Sequence, residues 1–248
     1  MIKKIFLWLI VLVVVAIVAV YFVRNYMVER AVEAGGTYAL GVPTDLGSAG
    51  LAIRGGSLEL NNLEVRNPEG FTAENFLSLR HGFLDVDAGS VLDDEVVVDS
   101  LIIEGATLNL EQIDNKGNYR VLMDNIKKVE LGESSEKEQK FRVGLVAVRD
   151  VQVTGALTLM GKKYEKSYSV ENITLRNVGS DNGATVGQIT ATVVQAIVSK
   201  ALAAGSGILP EGFGKGLSDL KDEGLQKIES EATDKLKDLG KSLTGDKK

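Results

Sequence analysis

The sequence contains no cysteine, a single histidine and no excess of basic residues. Without cysteine there is no disulfide, no thiolate metal site and no cysteine nucleophile. Lys and Arg number 28 against 34 Asp and Glu, which gives a net charge of −6. The chain therefore lacks the basic footprint of a nucleic-acid-binding protein, and we expect no nucleic-acid partner. Its 248 residues are enough for one main domain with appendages.

Few residues suggest catalysis or metal binding. His81 lies in the stretch LSLRHGFLDVD, within reach of Asp85 or Asp87, but a lone histidine between strands is more often structural. Residues 93–95 (DDE) lack the spacing of a calcium loop. Residues 134–137 (SSEK) match Ser-x-x-Lys but have none of the companion motifs. We therefore expect a protein that is not an enzyme and that holds no metal or cofactor.

A long apolar run opens the sequence. Residues 5–23 (IFLWLIVLVVVAIVAVYFV) carry no charge and would span about 28 Å as a helix, close to a bilayer's hydrocarbon thickness. The run exceeds the apolar region of a cleavable signal peptide and ends in bulky residues. We predict an uncleaved single-pass anchor over residues 1–25. The flanking basic residues are nearly balanced, and the free amino terminus favours a cytoplasmic N-terminus with the main domain outside.

One ten-residue pattern occurs four times. LELNNLEVRN (58–67), VVVDSLIIEG (96–105), VAVRDVQVTG (146–155) and YSVENITLRN (168–177) each have two alternating apolar residues, a polar pair, and two more alternating apolar residues. In a regular strand the second apolar pair would face the opposite side. One extra residue in a β-bulge would return both pairs to one face and bend the strand. The pattern predicts a curled antiparallel sheet with one aliphatic face; ordinary sandwich strands with coincidental bulges are the alternative.

The rest of the chain divides by composition. A charged link, residues 127–140, separates the β-rich region 37–180 into two similar halves. Helical periodicity flanks this region on both sides. The expected fold is mainly β (α+β), capped by helices. The helical and Gly-rich parts are a stalk over residues 26–36 ending at Gly35–Gly36, an apolar capping helix over 186–205, a hinge over 206–216 and an amphipathic helical tail over 217–248.

Several stretches together resemble a known family. They are YALGVPTDLGSAGLAIRGGSLELNNLEVRNPEGF, FLSLRHGFLDVD, VVVDSLIIEGATLNLEQIDNKGNY and ENITLRNVG, after an apolar N-terminus. Over residues 1–205 the chain resembles the AsmA-like family of bacterial envelope proteins, which are similar to chorein-type lipid-bridge proteins. The resemblance implies an inner-membrane anchor, a periplasmic domain with an apolar β-sheet groove for lipid acyl chains, and a role in phospholipid traffic or outer-membrane assembly.

The apolar positions of the repeated pattern are the candidate groove residues. They are Leu58, Leu60, Leu63, Val65, Val96, Val98, Leu101, Ile103, Val151, Val153, Val170, Ile173 and Leu175. The sequence leaves open whether this face is an open groove for membrane phospholipid or a closed core. In the second case we expect a scaffold or adaptor of an envelope complex, with the tail docking a partner protein. The candidate docking residues are Leu217, Leu220, Ile228, Leu236 and Leu239.

Overall fold

The structure is a computed structural model that describes residues 25–52, 55–114, 116–131, 139–179, 183–209 and 213. These residues form one eight-stranded mixed sheet and three helices. The helices are α1 (residues 25–40), α2 (Asn118–Leu131) and α3 (Val186–Ala204). The strands are β1 (Thr44–Ala52), β2 (Ser57–Arg66), β3 (Asn75–Val86), β4 (Glu95–Ile113), β5 (Lys116–Gly117), β6 (Lys140–Leu159), β7 (Lys162–Val170) and β8 (Ile173–Val178).

The expected mainly β fold is confirmed, but the sheet is not purely antiparallel. Its strand order is β1-β2-β3-β4-β6-β7, with β5 beside β4 and β8 beside β6. The two longest strands, β4 and β6, pair in parallel from Glu95↔Lys140 to Ile113↔Thr158. Parallel neighbours need a crossover connection, and α2 lies on the segment that joins them. The prediction of a charged link over residues 127–140 is therefore wrong for its first part, which is helical as far as Leu131.

Two of the four polar pairs lie within a strand that has no extra residue. In β2, Asn61 pairs with His81 and Leu63 pairs with Leu79, so the register against β3 is the same on both sides of Asn62. Asn62 has φ of 53°, and Asp150, at the equivalent place in β6, also has φ of 53°. This left-handed conformation, which Asn and Asp tolerate, reverses the alternation of the side chains. The predicted bulge is wrong at these two sites, although the predicted result, two apolar pairs on one face, holds at β6.

A shift of register does occur in β4. Ser100 pairs with Asp85 and Val98 pairs with Val86, which leaves Asp99 as an extra residue against β3. The fourth copy of the pattern breaks into two strands. β7 and β8 follow one another along β6, with Val170 beside Val151 and Ile173 beside Val148. The polar pair between them, residues 171–172, is the break.

Helix α1 is longer than predicted. It ends at residue 40, where Gly41 adopts φ of 69° and donates its N–H to Thr37 O at 2.8 Å. The predicted stop at Gly35–Gly36 is wrong, because both glycines lie inside the helix. A Cβ at Gly35 would lie 2.8 Å from Val186 Cγ1, and one at Gly36 would lie 2.8 Å from Thr44 Cγ2. These glycines allow α1 to approach α3 and β1 closely.

Helix α3 is the predicted capping helix. Thr185 and Gln188 form a capping box at its N-terminus, with bonds of 2.9 and 3.2 Å, and Gly205 follows its C-terminus. Among the described residues, α3 is the one helix long and apolar enough to span a membrane. That is weak evidence for a span, since core helices have the same composition, and eight of its residues are buried.

The core lies between the sheet and helices α2 and α3. Apolar residues of β4, β6, β7 and β8 join Leu122 and Ile126 of α2 and Ala191 and Ile197 of α3 in one buried cluster. α3 packs against β6, β7 and β8, and α2 packs against β4, β5 and α3. The predicted N-terminal anchor, most of the hinge and the C-terminal tail lie outside the described residues.

Candidate functional site

Seven half-buried leucines form a strip on strands β1–β4. They lie on the part of the sheet away from the strands that α3 covers. None of the seven is fully buried and none is fully exposed, in contrast to the rest of the core. We call this set the leucine strip: Leu51, Leu58, Leu60, Leu63, Leu79, Leu84 and Leu101.

Strand register places the leucine strip on the core face of the sheet. Leu51 pairs with Leu58, Leu58 with Leu84, and Leu84 with Leu101, which makes one row across four strands. Side chains of directly paired residues point to the same face. Leu84 and Leu101 pack against the buried cluster, so the whole row lies on that face.

The second part of the strip follows the same rule. Leu63 pairs with Leu79, and both pack against the buried cluster. Leu60 lies two residues from Leu58 and therefore on the same side of β2. Leu51, Leu58 and Leu60 are not among the described residues that pack on the cluster. The strip thus runs from the border of the core to three half-buried leucines that the described cluster does not cover.

The predicted groove residues divide between this strip and the core. Four of them, Leu58, Leu60, Leu63 and Leu101, belong to the strip, and Leu175 is half-buried on β8. The other eight are buried in the sheet's packed face. These eight are Val65, Val96, Val98, Ile103, Val151, Val153, Val170 and Ile173. The predicted docking residues Leu217, Leu220, Ile228, Leu236 and Leu239 lie outside the described residues.

Helix α1 seals the edge of the sheet beside the strip. Side chains four residues apart along the helix accept hydrogen bonds from the outward backbone N–H groups of β1. Without such partners, the N–H groups of an edge strand can pair with a strand of another chain. The four bonds are Leu51 N–H to Asn25 Oδ1 at 3.3 Å, Ala49 N–H to Glu29 Oε1 at 3.0 Å, Leu46 N–H to Glu33 Oε1 at 3.2 Å and Thr44 N–H to Thr37 Oγ1 at 3.0 Å.

Sequence reasoning missed this edge seal, although its signal was present. Asn25, Glu29, Glu33 and Thr37 follow each other at the four-residue spacing that places side chains on one helix face. Arg30 pairs with Glu33 Oε2 at 2.9 Å, which leaves Glu33 Oε1 to accept from the strand. A row of acceptors fits a strand whose N–H groups need partners. The helix therefore orders β1 as well as connecting the domain to the N-terminal segment.

A buried carboxylate fixes the loop between β2 and β3. Glu111 accepts the backbone N–H groups of Thr72 at 2.8 Å and Ala73 at 2.6 Å, together with Thr72 Oγ1–H and Asn67 Nδ2–H. Burial alone would raise the pKa of Glu111, but these hydrogen bonds outweigh it and hold the pKa below its usual value. Every acceptor site of the carboxylate is used within the fold, so this group positions a loop.

The residues considered for chemistry have structural surroundings. His81 is half-buried, and its Nδ1 lies 3.0 Å from Asn61 Oδ1 on the neighbouring strand, so its hydrogen-bond partner is neither Asp85 nor Asp87. The carbonyls of Asp93 and Asp94 each accept a bond from Gln139 Nε2 at 3.1 Å. Within the described part of the chain, no three His, Asp or Glu side chains are grouped so that they could hold a metal ion.

Comparison with known proteins adds no assignment: no protein-family model matches the chain, and no curated protein matches it.

Proposed function

We propose that this chain is a membrane-anchored lipid-binding module in which the leucine strip receives the acyl part of a phospholipid. One observation carries the proposal. Seven leucines on the core face of β1–β4, six of them paired with one another across strands, stay half-buried, although the same face is closed by helices elsewhere. An apolar surface of this kind is typical of a site that meets an apolar ligand or partner.

The position of the strip also supports a lipid ligand. Leu51 is bound to Asn25, and only Arg24 separates Asn25 from the predicted membrane segment, residues 5–23. The uncovered end of the strip would therefore lie next to the bilayer surface. In agreement with the resemblance to AsmA-like proteins, the module would serve phospholipid traffic or outer-membrane assembly from an inner-membrane anchor, with its domain in the periplasm.

Site-specific photo-crosslinking tests this proposal in the full chain. A photoreactive amino acid replaces either Leu60 or its neighbour Glu59, which is exposed on the opposite face of β2. We expect a phospholipid adduct at position 60 and little or none at position 59. The adduct is detected by mass spectrometry of the peptide after irradiation in native membranes. Equal labelling at both positions, or none at position 60, would contradict a groove on this face.

A charged substitution gives a second measure. Leu58→Glu should reduce the adduct at position 60 several-fold, because a carboxylate is costly beside an acyl chain. The domain should stay folded, since a half-buried leucine contributes only about 1 to 2 kcal/mol. Circular dichroism of the same variant checks this. An unchanged adduct yield in a folded variant would count against the strip as the binding surface.

An adaptor function is the second candidate, and one observation favours it. Eight of the thirteen predicted groove residues are already buried by the protein's own fold. If the leucine strip were also covered by protein when the chain is in its membrane, the sheet would be a scaffold rather than a lipid site. Absence of any lipid adduct at position 60, combined with capture of a protein partner that is lost when residues 217–248 are deleted, would favour this function.

A further inference from the structure

The turn between β3 and β4 presents two apolar side chains to the outside. Val91 is 50% exposed and Leu92 is 97% exposed, on a short 3₁₀ turn at Ser90–Leu92. A fully exposed leucine beside an exposed valine has no role in the core. The β6–β7 hairpin carries a similar pair, with Leu159 41% and Met160 99% exposed, so the position of each tip decides what it meets.

The turn is held in a fixed shape. Ser90 is buried, and its Oγ donates a hydrogen bond to Asp87 O and accepts one from Val97 N–H, both at 2.8 Å. Gly89 N–H donates to the Asp87 carboxylate at 2.9 Å. At the far end of the turn, Gln139 Nε2 donates to the carbonyls of Asp93 and Asp94. The exposure of Leu92 therefore follows from the fold of the turn itself.

The turn lies at the end of the sheet where the chain arrives from the predicted anchor. α1 and β1 run in opposite directions, since Thr37 binds Thr44 whereas Asn25 binds Leu51. Asn25 binds Leu51, and the next paired row of the sheet, Ala52↔Ser57↔Asp85, lies one residue further towards the anchor end. β3 ends one residue after Asp85, at Val86, and the turn that carries Leu92 follows it at this same end of the sheet.

We propose that Val91 and Leu92 insert into the headgroup region of the bilayer that holds the predicted anchor. This inference deepens the proposed function and rests on it, because it requires the N-terminal membrane anchor. Glu95 pairs with Arg142 Nε at 3.0 Å, and three aspartates flank the tip: Asp87, Asp93 and Asp94. Their charge would repel anionic headgroups, so the surface that fits is a zwitterionic phospholipid layer. The contact would hold the uncovered end of the leucine strip against the membrane.

The opposite end of the sheet supplies a matched control. The β6–β7 hairpin exposes Met160 to 99%, as much as Leu92. β4 runs for 19 residues from the turn to Ile113, which pairs with Thr158 near that hairpin. At about 3.3 Å per residue, the two tips are separated by roughly 60 Å along the strands. Contact with a membrane at one end thus leaves the other end in water.

Single labels distinguish the two ends in the full chain. Because the protein has no cysteine, Leu92→Cys and Met160→Cys each give one site for an environment-sensitive fluorophore. The labelled chains are reconstituted into phosphatidylcholine vesicles with or without brominated lipid. We expect a blue-shifted emission that bromine quenches at position 92, and neither effect at position 160. Failure of the chain to float with the vesicles, an unquenched label at position 92, or equal quenching at both positions would overturn the inference.

This result can be separated from that of the proposed function. Quenching at position 92 without a lipid adduct at Leu60 would retain the membrane contact and reject the groove. An adduct at Leu60 without quenching at position 92 would retain the groove and reject the contact.

Discussion

At the residue scale, Glu111 predicts how stability depends on pH. Its pKa is lowered in the folded protein, so its ionised form stabilises the fold above its unfolded pKa of about 4.3, and this contribution is lost as pH falls through the folded value. Glu111→Gln should cost about 1 to 3 kcal/mol at neutral pH, because an amide cannot accept all four donors. It should also flatten the loss of stability on acidification. Chemical denaturation between about pH 6 and pH 3 measures both effects.

The control for Glu111 lies in the same loop. Glu74 is 80% exposed and pairs with Arg66 at the surface. Glu74→Gln should change stability little at any pH, since exposed ion pairs contribute at most about 1 kcal/mol. If Glu74→Gln flattened the acid response as much as Glu111→Gln, the assignment to the buried carboxylate would be wrong.

Single residues also show what the sequence could predict. Four copies of the apolar pattern located most of the face that the core uses, because alternation within a strand depends only on side-chain spacing. The polar pairs were recognised as interruptions, but two mechanisms can reset the alternation. A left-handed residue at Asn62 or Asp150 and an extra residue at Asp99 leave the same pattern in sequence. Only the residue paired on the neighbouring strand distinguishes the two mechanisms, and the sequence does not reveal that residue.

At the element scale, the α1 seal predicts local exchange behaviour. Glu29→Ala removes the acceptor of the Ala49 N–H, a bond worth about 1 kcal/mol, so amide exchange in residues 44–52 should accelerate about fivefold. Glu29→Gln keeps an acceptor and should exchange at nearly the original rate. Met27→Ala, on an exposed part of the same helix, is the control. Hydrogen-exchange mass spectrometry of the full chain gives these rates, and equal acceleration in Met27→Ala would contradict a specific seal.

The elements that sequence analysis missed have a common cause. Helix α2 (NYRVLMDNIKKVEL) is short, polar on one face and preceded by a turn, so it resembled the charged link that follows it. Without that crossover helix, the parallel pairing of β4 with β6 could not be predicted, because parallel and antiparallel strands share the same two-residue period. By contrast, α3 was predicted closely, since its apolar stripe is long and Gly205 marks its end.

At the scale of the whole molecule, the two edges of the sheet differ. α1 occupies the outward N–H groups of β1, whereas β7 and β8 have no further strand beside them within the described residues. β7 carries Lys162, Lys163 and Lys166, and lysines on an edge strand oppose pairing with another chain. The two edges of the sheet are thus protected from pairing with another chain by different means. The leucine strip and the two exposed turn tips are among the apolar surfaces that the described domain presents.

If the leucine strip binds lipid as proposed, its size limits the number of lipids that it can hold. From Leu51 to Leu101 the strip crosses three strand spacings, about 14 Å at about 4.8 Å each. Such a surface suits one phospholipid rather than a continuous bridge of lipids. A chain beginning at Arg24 keeps all four α1 acceptors, and native mass spectrometry without prior detergent should show one bound phospholipid. Leu58→Glu should lower that occupancy and Glu59→Gln should not. A lipid-free mass with a cooperative melt would mean that the strip is closed, and would favour the adaptor function.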